Sequence, residues 1–222
     1  MKYSLYACIV FCIALVGCSK ASKDERSGAA KSESVSVFSS PEGQQQYVAD
    51  LLRFRADKDS FLQTSPVTPL TREDRQSFHG LNYYEPNPQF VVRATLVRNA
   101  NPPPITITTT TGSSRKAVKY GAFEFVLRGQ KHRLSVYRFI DRRDLNEKEY
   151  LFVPFTDSTS GRETYGAGRY LDLEEEKTGE YILDFNRAYS PYCAYNENYS
   201  CPIPPRENRL SAAITAGEKI FH

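Results

Sequence analysis

The chain has no tryptophan, a single methionine and three histidines, His79, His132 and His222. Imidazole is the usual general base near neutral pH and the commonest metal ligand, so its scarcity narrows the chemistry available. There is no Gly-x-Ser-x-Gly turn to present a nucleophilic serine and no His-Glu-x-x-His pair for zinc. An excess of one charge is also missing: Lys plus Arg is 29 and Asp plus Glu is 26. Basic residues are dispersed apart from short groups such as Arg142-Arg143, which argues against a nucleic-acid partner. No internal repeat is present. The glycines of residues 161–168 precede a strand pattern, not the helix N-terminus that lets a phosphate loop hold anions, so they read as turn residues. Neither a cofactor nor a metal is expected.

The one long apolar run covers residues 5–16. It is too short for the ~20 residues of a membrane-spanning helix and suits the core of an export signal. It ends in Leu15-Val16-Gly17-Cys18, which resembles the lipobox of bacterial lipoproteins: an apolar pair, a small residue, then the cysteine that takes the lipid. On this reading residues 1–17 are a signal peptide, Cys8 and Cys12 leave with it, and Cys18 is the lipidated first residue of the mature chain. Two or more acyl tails anchor a protein stably. Ser19, where an aspartate would favour inner-membrane retention, leans towards the periplasmic side of an outer membrane. Residues 18–41 are mostly Ser, Lys, Ala, Glu and Gly and read as a flexible tether, reaching roughly 25 Å. Residues 42–222 are long enough for one domain with a proper core.

Within that domain, Pro41-Glu42-Gly43-Gln44 opens a helix whose residues 44–61 place Tyr47, Leu51, Leu52, Phe54 and Lys58 on an apolar stripe. Arg53, Arg55, Asp57 and Asp59 fall on the charged face. Thr71-Arg72-Glu73-Asp74 resembles a capping box and predicts a short helix to about Phe78, closed by Gly80. From Phe90 the period changes to two. Strands are predicted over residues 90–97, 105–110, 117–127, 133–140, 150–155, 169–173 and 181–185, with a hairpin turn at Arg128-Gly129-Gln130 and Pro154 marking a strand end or bulge. The fold class is α+β, mostly antiparallel β: a sheet curled into a barrel or sandwich, with the N-terminal amphipathic helix packed on it.

Residues 184–208 are too rich in Pro, Asn and Tyr for a regular element, and long loops of this kind are often functional. Arg169, Asp184, Asn186, Tyr195, Asn196, Glu207 and Asn208, with Asp172 nearby, are candidates to contact a ligand. A carboxylate pair offers an alternative, a periplasmic hydrolase using Asp184 or Glu207 with Asn186 or Asn196 orienting substrate. The competing structural reading has Asp and Asn capping turns while Arg169 pairs with an acid and holds the loop down. No nucleophile–base spacing assigns a catalytic residue. Cys193 and Cys201, the two mature cysteines besides Cys18, are expected to form a disulfide in an oxidising compartment. Metal binding and a cysteine nucleophile stay open as other uses of the pair.

Phe155-Thr156-Asp157-Ser158-Thr159, Gly168-Arg169-Tyr170-Leu171-Asp172, Asp184-Phe185-Asn186, Tyr192-Cys193-Ala194-Tyr195-Asn196, Cys201-Pro202-Ile203-Pro204-Pro205 and Ala216-Gly217-Glu218-Lys219 stand in this order. Together they resemble the uncharacterised bacterial family known as domain of unknown function 1684, across roughly residues 44–221. The resemblance implies one domain with an emphasised C-terminal loop, and no particular reaction. The expectation is a lipid-anchored cell-envelope protein, a binding or structural domain, whose partners are the membrane and a small molecule or protein.

Overall fold

The computed structural model describes residues 37–141 and 150–222. The signal peptide, Cys18, the tether up to residue 36 and Arg142-Arg143 lie outside the described residues. The strands are β1 (Val91–Arg98), β2 (Pro104–Thr108), β3 (Ser114–Leu127), β4 (Gln130–Phe139), β5 (Leu151–Phe155), β6 (Arg169–Leu173) and β7 (Glu180–Asp184). They form one curled antiparallel sheet in the order β6-β5-β4-β3-β1-β7, with β2 beside the first part of β3. The seven predicted strands are thus present, and the choice between barrel and sandwich resolves to a half-barrel. Its end strands, β6 and β7, are not hydrogen-bonded to each other.

Two backbone features shape this sheet. The β3–β4 turn places Arg128 at φ 50° and Gly129 at φ 76°, the two-residue geometry that matches strand twist. Within β3 the register shifts between Lys119 and Gly121. A Cβ on Gly121 would lie 2.4 Å from the carbonyl oxygen of Val97, so only glycine permits that close approach of β1.

Alternation on β1, β3 and β7 drives one set of side chains inward. Phe90, Leu96, Phe123, Leu134, Val153, Phe155, Leu183 and Phe185 fill the concave side, closed from below by Leu210, Ile214 and Ala216 of the C-terminal segment. Full burial of such a side chain stabilises the fold by roughly 1.5–3 kcal/mol. A smaller cluster of Ile107, Ala117, Tyr137, Phe152 and Tyr170 covers the opposite face. β5 is therefore buried along its whole length. Pro154 lies inside β5, opposite Tyr170 of β6. It is tolerated there because the β4 ladder reaches only the Tyr137–Phe152 pair; beyond it β4 has parted from β5 and no N–H is required.

Helix α1 (Pro41–Thr64) starts at Ser40, whose Oγ accepts from the Gly43 amide at 3.1 Å. Its buried residues are Leu51, Arg55 and Leu62. The predicted stripe needs correction: Leu52 is 51% exposed and Phe54 38%, whereas Arg55 leaves the charged face for the interface. Positions 47, 51, 55, 58 and 62 recur every three or four residues and so share one face. Arg55 is accepted on that face because its guanidinium donates to the Tyr84 carbonyl at 2.8 Å and lies 4.5 Å from the Tyr83 ring centroid. Helix α2 (Arg72–Ser77) is capped as predicted, with Thr71 Oγ1 accepting from the Asp74 amide at 3.1 Å.

Candidate functional site

The sequence candidates are separated into several networks. Arg169 opens β6 with no exposed surface. Its guanidinium donates to Asp157 Oδ2 at 2.9 Å, to the Ile214 carbonyl at 2.8 Å, to the Glu218 carbonyl at 3.1 Å and to the Ala216 carbonyl. It therefore ties the C-terminal segment under the sheet and is not presented to a ligand, which matches the structural reading of this residue. Asn186 and Asn208 act as substitute peptide groups. Asn186 Oδ1 accepts from the Asn87 amide at 2.8 Å and its Nδ2 donates to the Asn87 carbonyl at 2.9 Å. Asn208 does the same with Ser135, at 2.8 Å each way, and also donates to the Pro154 carbonyl at 2.7 Å. It fills the gap where β4 and β5 part.

Tyr195 is buried and donates to Glu218 Oε2 at 2.6 Å. Glu218, also buried, accepts from the Ser190 amide at 2.8 Å and pairs with Lys58 of α1. This cluster fastens α1 to the C-terminal segment. Asn196 accepts from the Asn198 amide at 3.0 Å and closes a turn. Glu207 lies at the surface, accepting from Lys119 Nζ at 2.7 Å and Tyr137 Oη at 2.8 Å; the Lys119 hydrogen bond holds its carboxyl below the usual range. Asp184 accepts from Tyr47 Oη at 2.8 Å and from the Asn186 amide at 3.0 Å, and its other oxygen faces Arg187 at 3.4 Å.

Asp184 also lines a large cleft, as does Asp172. The cleft has a volume of about 660 Å³ and lies at the open ends of the sheet, walled by β6, the outward side of β1 and β7, and the start of α1. Leu171, Tyr181, Ile182 and Val91 give it apolar surface. Asp172, Glu174, Glu176, Glu180 and Asp184 face two cations, Arg93 and Arg187. Asp172 reaches solvent while protein surrounds it on most sides, and this burial raises its pKa against the opposing hydrogen bond from Tyr189. The balance of the lining is acidic and partly apolar.

The family profile described as protein of unknown function (DUF1684) matches residues 76–219. The chain belongs to the DUF1684 family. It is 35% identical to the uncharacterized protein from a gene locus of Haloarcula marismortui, solved in solution by NMR, over 80% of this chain and 96% of that one, with a TM-score of 0.61. No curated protein matched. The DUF1684 span ends on the C-terminal clamp and begins after α1, so Tyr47, Arg55 and Lys58 reach into it from outside: to Asp184, to the Asn186 carbonyl at 3.4 Å and to Glu218.

The structure holds Cys193 and Cys201 as free thiols, half-buried and buried, where a bridge was expected. They are nonetheless neighbours. The Cys193 amide donates to Cys201 Sγ at 3.3 Å, and Tyr165 Oη donates to Cys193 Sγ at 3.5 Å. Among the described residues, no group of three or more His, Cys, Asp or Glu side chains is placed to hold a metal. What the sequence reading missed is the cleft. The only local signal for it was the polar or exposed alternate position on two strands: Arg93 on β1, and Glu180 and Ile182 on β7.

Proposed function

We propose that this DUF1684 protein is a lipid-anchored binding domain of the cell envelope, held through Cys18, whose half-barrel takes a small ligand with a cationic group and an apolar body. The observation that carries the reading is the cleft: about 660 Å³ with acidic groups around an apolar floor, within the size range of ligand pockets. The binding site moves accordingly from the Tyr-rich loop to the β6–β7 opening, with Asp184 retained. Binding is favoured over hydrolysis because Asp184 and Glu207 are held in separate networks, one by Tyr47 and one by Lys119 and Tyr137. They do not form an acid–base pair.

Two substitutions at equally exposed isoleucines test the site. Ile182 lies on the cleft wall and Ile203 in the C-terminal loop, both 41% exposed. The full chain is isolated from envelopes, denatured, and its released small molecules are identified by mass spectrometry. A compound bound to the wild type should vanish with Ile182→Trp and persist with Ile203→Trp. The opposite pattern, or a wild-type protein that carries nothing, overturns the assignment. Labelled palmitate should enter the wild type and not Cys18→Ser; equal labelling removes the anchor.

A further inference from the structure

We propose that Cys193 and Cys201 form a reactive dithiol site that is closed to a disulfide by exchange with a low-molecular-weight disulfide, entered through Cys193. This goes beyond ligand binding in the cleft and does not depend on it. Three observations carry it. The two cysteines are neighbours, the Cys193 amide donating to Cys201 Sγ at 3.3 Å. They differ in access, Cys193 being half-buried and Cys201 buried. Cys193 also receives the Tyr165 hydroxyl, a donor that favours its thiolate. The hydrogen bond from Cys201 lowers the pKa of Cys193 and raises that of Cys201, which supports the same asymmetry.

The exchange runs in two steps. The Cys193 thiolate attacks one sulfur of the small disulfide, whose S–S bond breaks. One thiolate departs and takes up a proton, leaving a mixed disulfide on Cys193. Cys201 then loses its proton and attacks the Cys193 sulfur, expelling the second small thiolate. Two thiols of the protein are oxidised by two electrons and one small disulfide is reduced to two thiols. The result joins residue 193 to a segment already fixed on the β2–β3 turn. Thr110 donates its amide to the Cys201 carbonyl at 2.9 Å, and the Ile203 amide donates to the Thr108 carbonyl at 2.8 Å.

The chain supplies a convenient reporter. Between Arg187 and Arg206 there is no Lys or Arg, so trypsin releases residues 188–206 as one peptide that holds these two cysteines and no others. The reduced full chain is exposed to oxidised glutathione, quenched with acid, denatured, alkylated and digested. The expected peptide has lost two hydrogens and carries no alkyl group. Cys201→Ser should instead accumulate glutathione on Cys193, while Cys193→Ser should react at least roughly tenfold more slowly, its remaining thiol being buried. A wild-type peptide that still takes two alkyl groups, or that stops at the mixed disulfide, overturns the proposal. Equal rates in the two variants overturn entry through Cys193.

Discussion

The C-terminal loop and the β6–β7 cleft differ in how much of their hydrogen-bonding capacity is left over. In the loop, the carboxamides of Asn186 and Asn208 are taken up by backbone groups of distant residues, Asn87 for one and Ser135 and Pro154 for the other, and Arg169 is ringed by carbonyls. In the cleft, Arg93 and Glu176 stand on the wall with solvent in front of them. A polar side chain can recognise a ligand only with donors or acceptors that the fold has not already used. The loop is chemically conspicuous because it replaces backbone pairing where the sheet ends; the cleft is inconspicuous because its groups come singly from separate elements.

The comparison breaks most sharply at Arg169. Arg169→Met should leave Asp157 buried beside three carbonyls that have lost their donor, at a cost of about 3–5 kcal/mol in urea unfolding. A loss below about 1 kcal/mol would mean that Arg169 does not hold the C-terminal segment. The next effect belongs to Asn208. Asn208→Ala leaves the N–H and carbonyl of Ser135 and the carbonyl of Pro154 without their side-chain partner and should cost about 2–3 kcal/mol, since buried groups left without partners carry their full desolvation penalty. Near-neutral stability combined with lost ligand would transfer Asn208 from the loop's scaffold to a binding site.

The same contrast explains what could be read from the sequence. Period-two alternation through Phe123, Phe125 and Leu127 locates β3, the Arg128-Gly129 pair locates its turn, and Thr71 locates a helix cap, because each signal lies within a few residues of what it determines. Charge alone places Arg55 on the solvent face of α1; its acceptors, the carbonyls of Tyr84 and Asn186, lie 29 and 131 residues away. Asn186 and Asn208 read from the sequence as candidates for ligand contact, but their partners are 99 and 73 residues distant. Ligand contact and backbone substitution look alike without those partners. The cleft needs β1, β6, β7 and the start of α1 together, and no single segment of sequence carries it.

The smallest effect sharpens the comparison at Glu207, the loop carboxylate that remains at the surface. Lys119 and then Tyr137 favour its ionised form. A carboxyl whose pKa is lowered on folding contributes stability that is present above its unfolded value, about 4.3, and is lost as the pH falls through the lower folded value. Glu207→Gln should therefore weaken the protein near neutrality, and the difference from wild type should fade below about pH 4. Because its side chain is 49% exposed, solvent screening limits the effect to less than about 1 kcal/mol, and added salt should shrink it further. A general acid in hydrolysis needs the reverse, a carboxyl that keeps its proton near neutral pH. NMR titration of the Glu207 carboxyl separates the two roles. A midpoint below the ordinary glutamate value leaves it a surface partner of Lys119, whereas a midpoint well above would restore the loop as a place for acid catalysis.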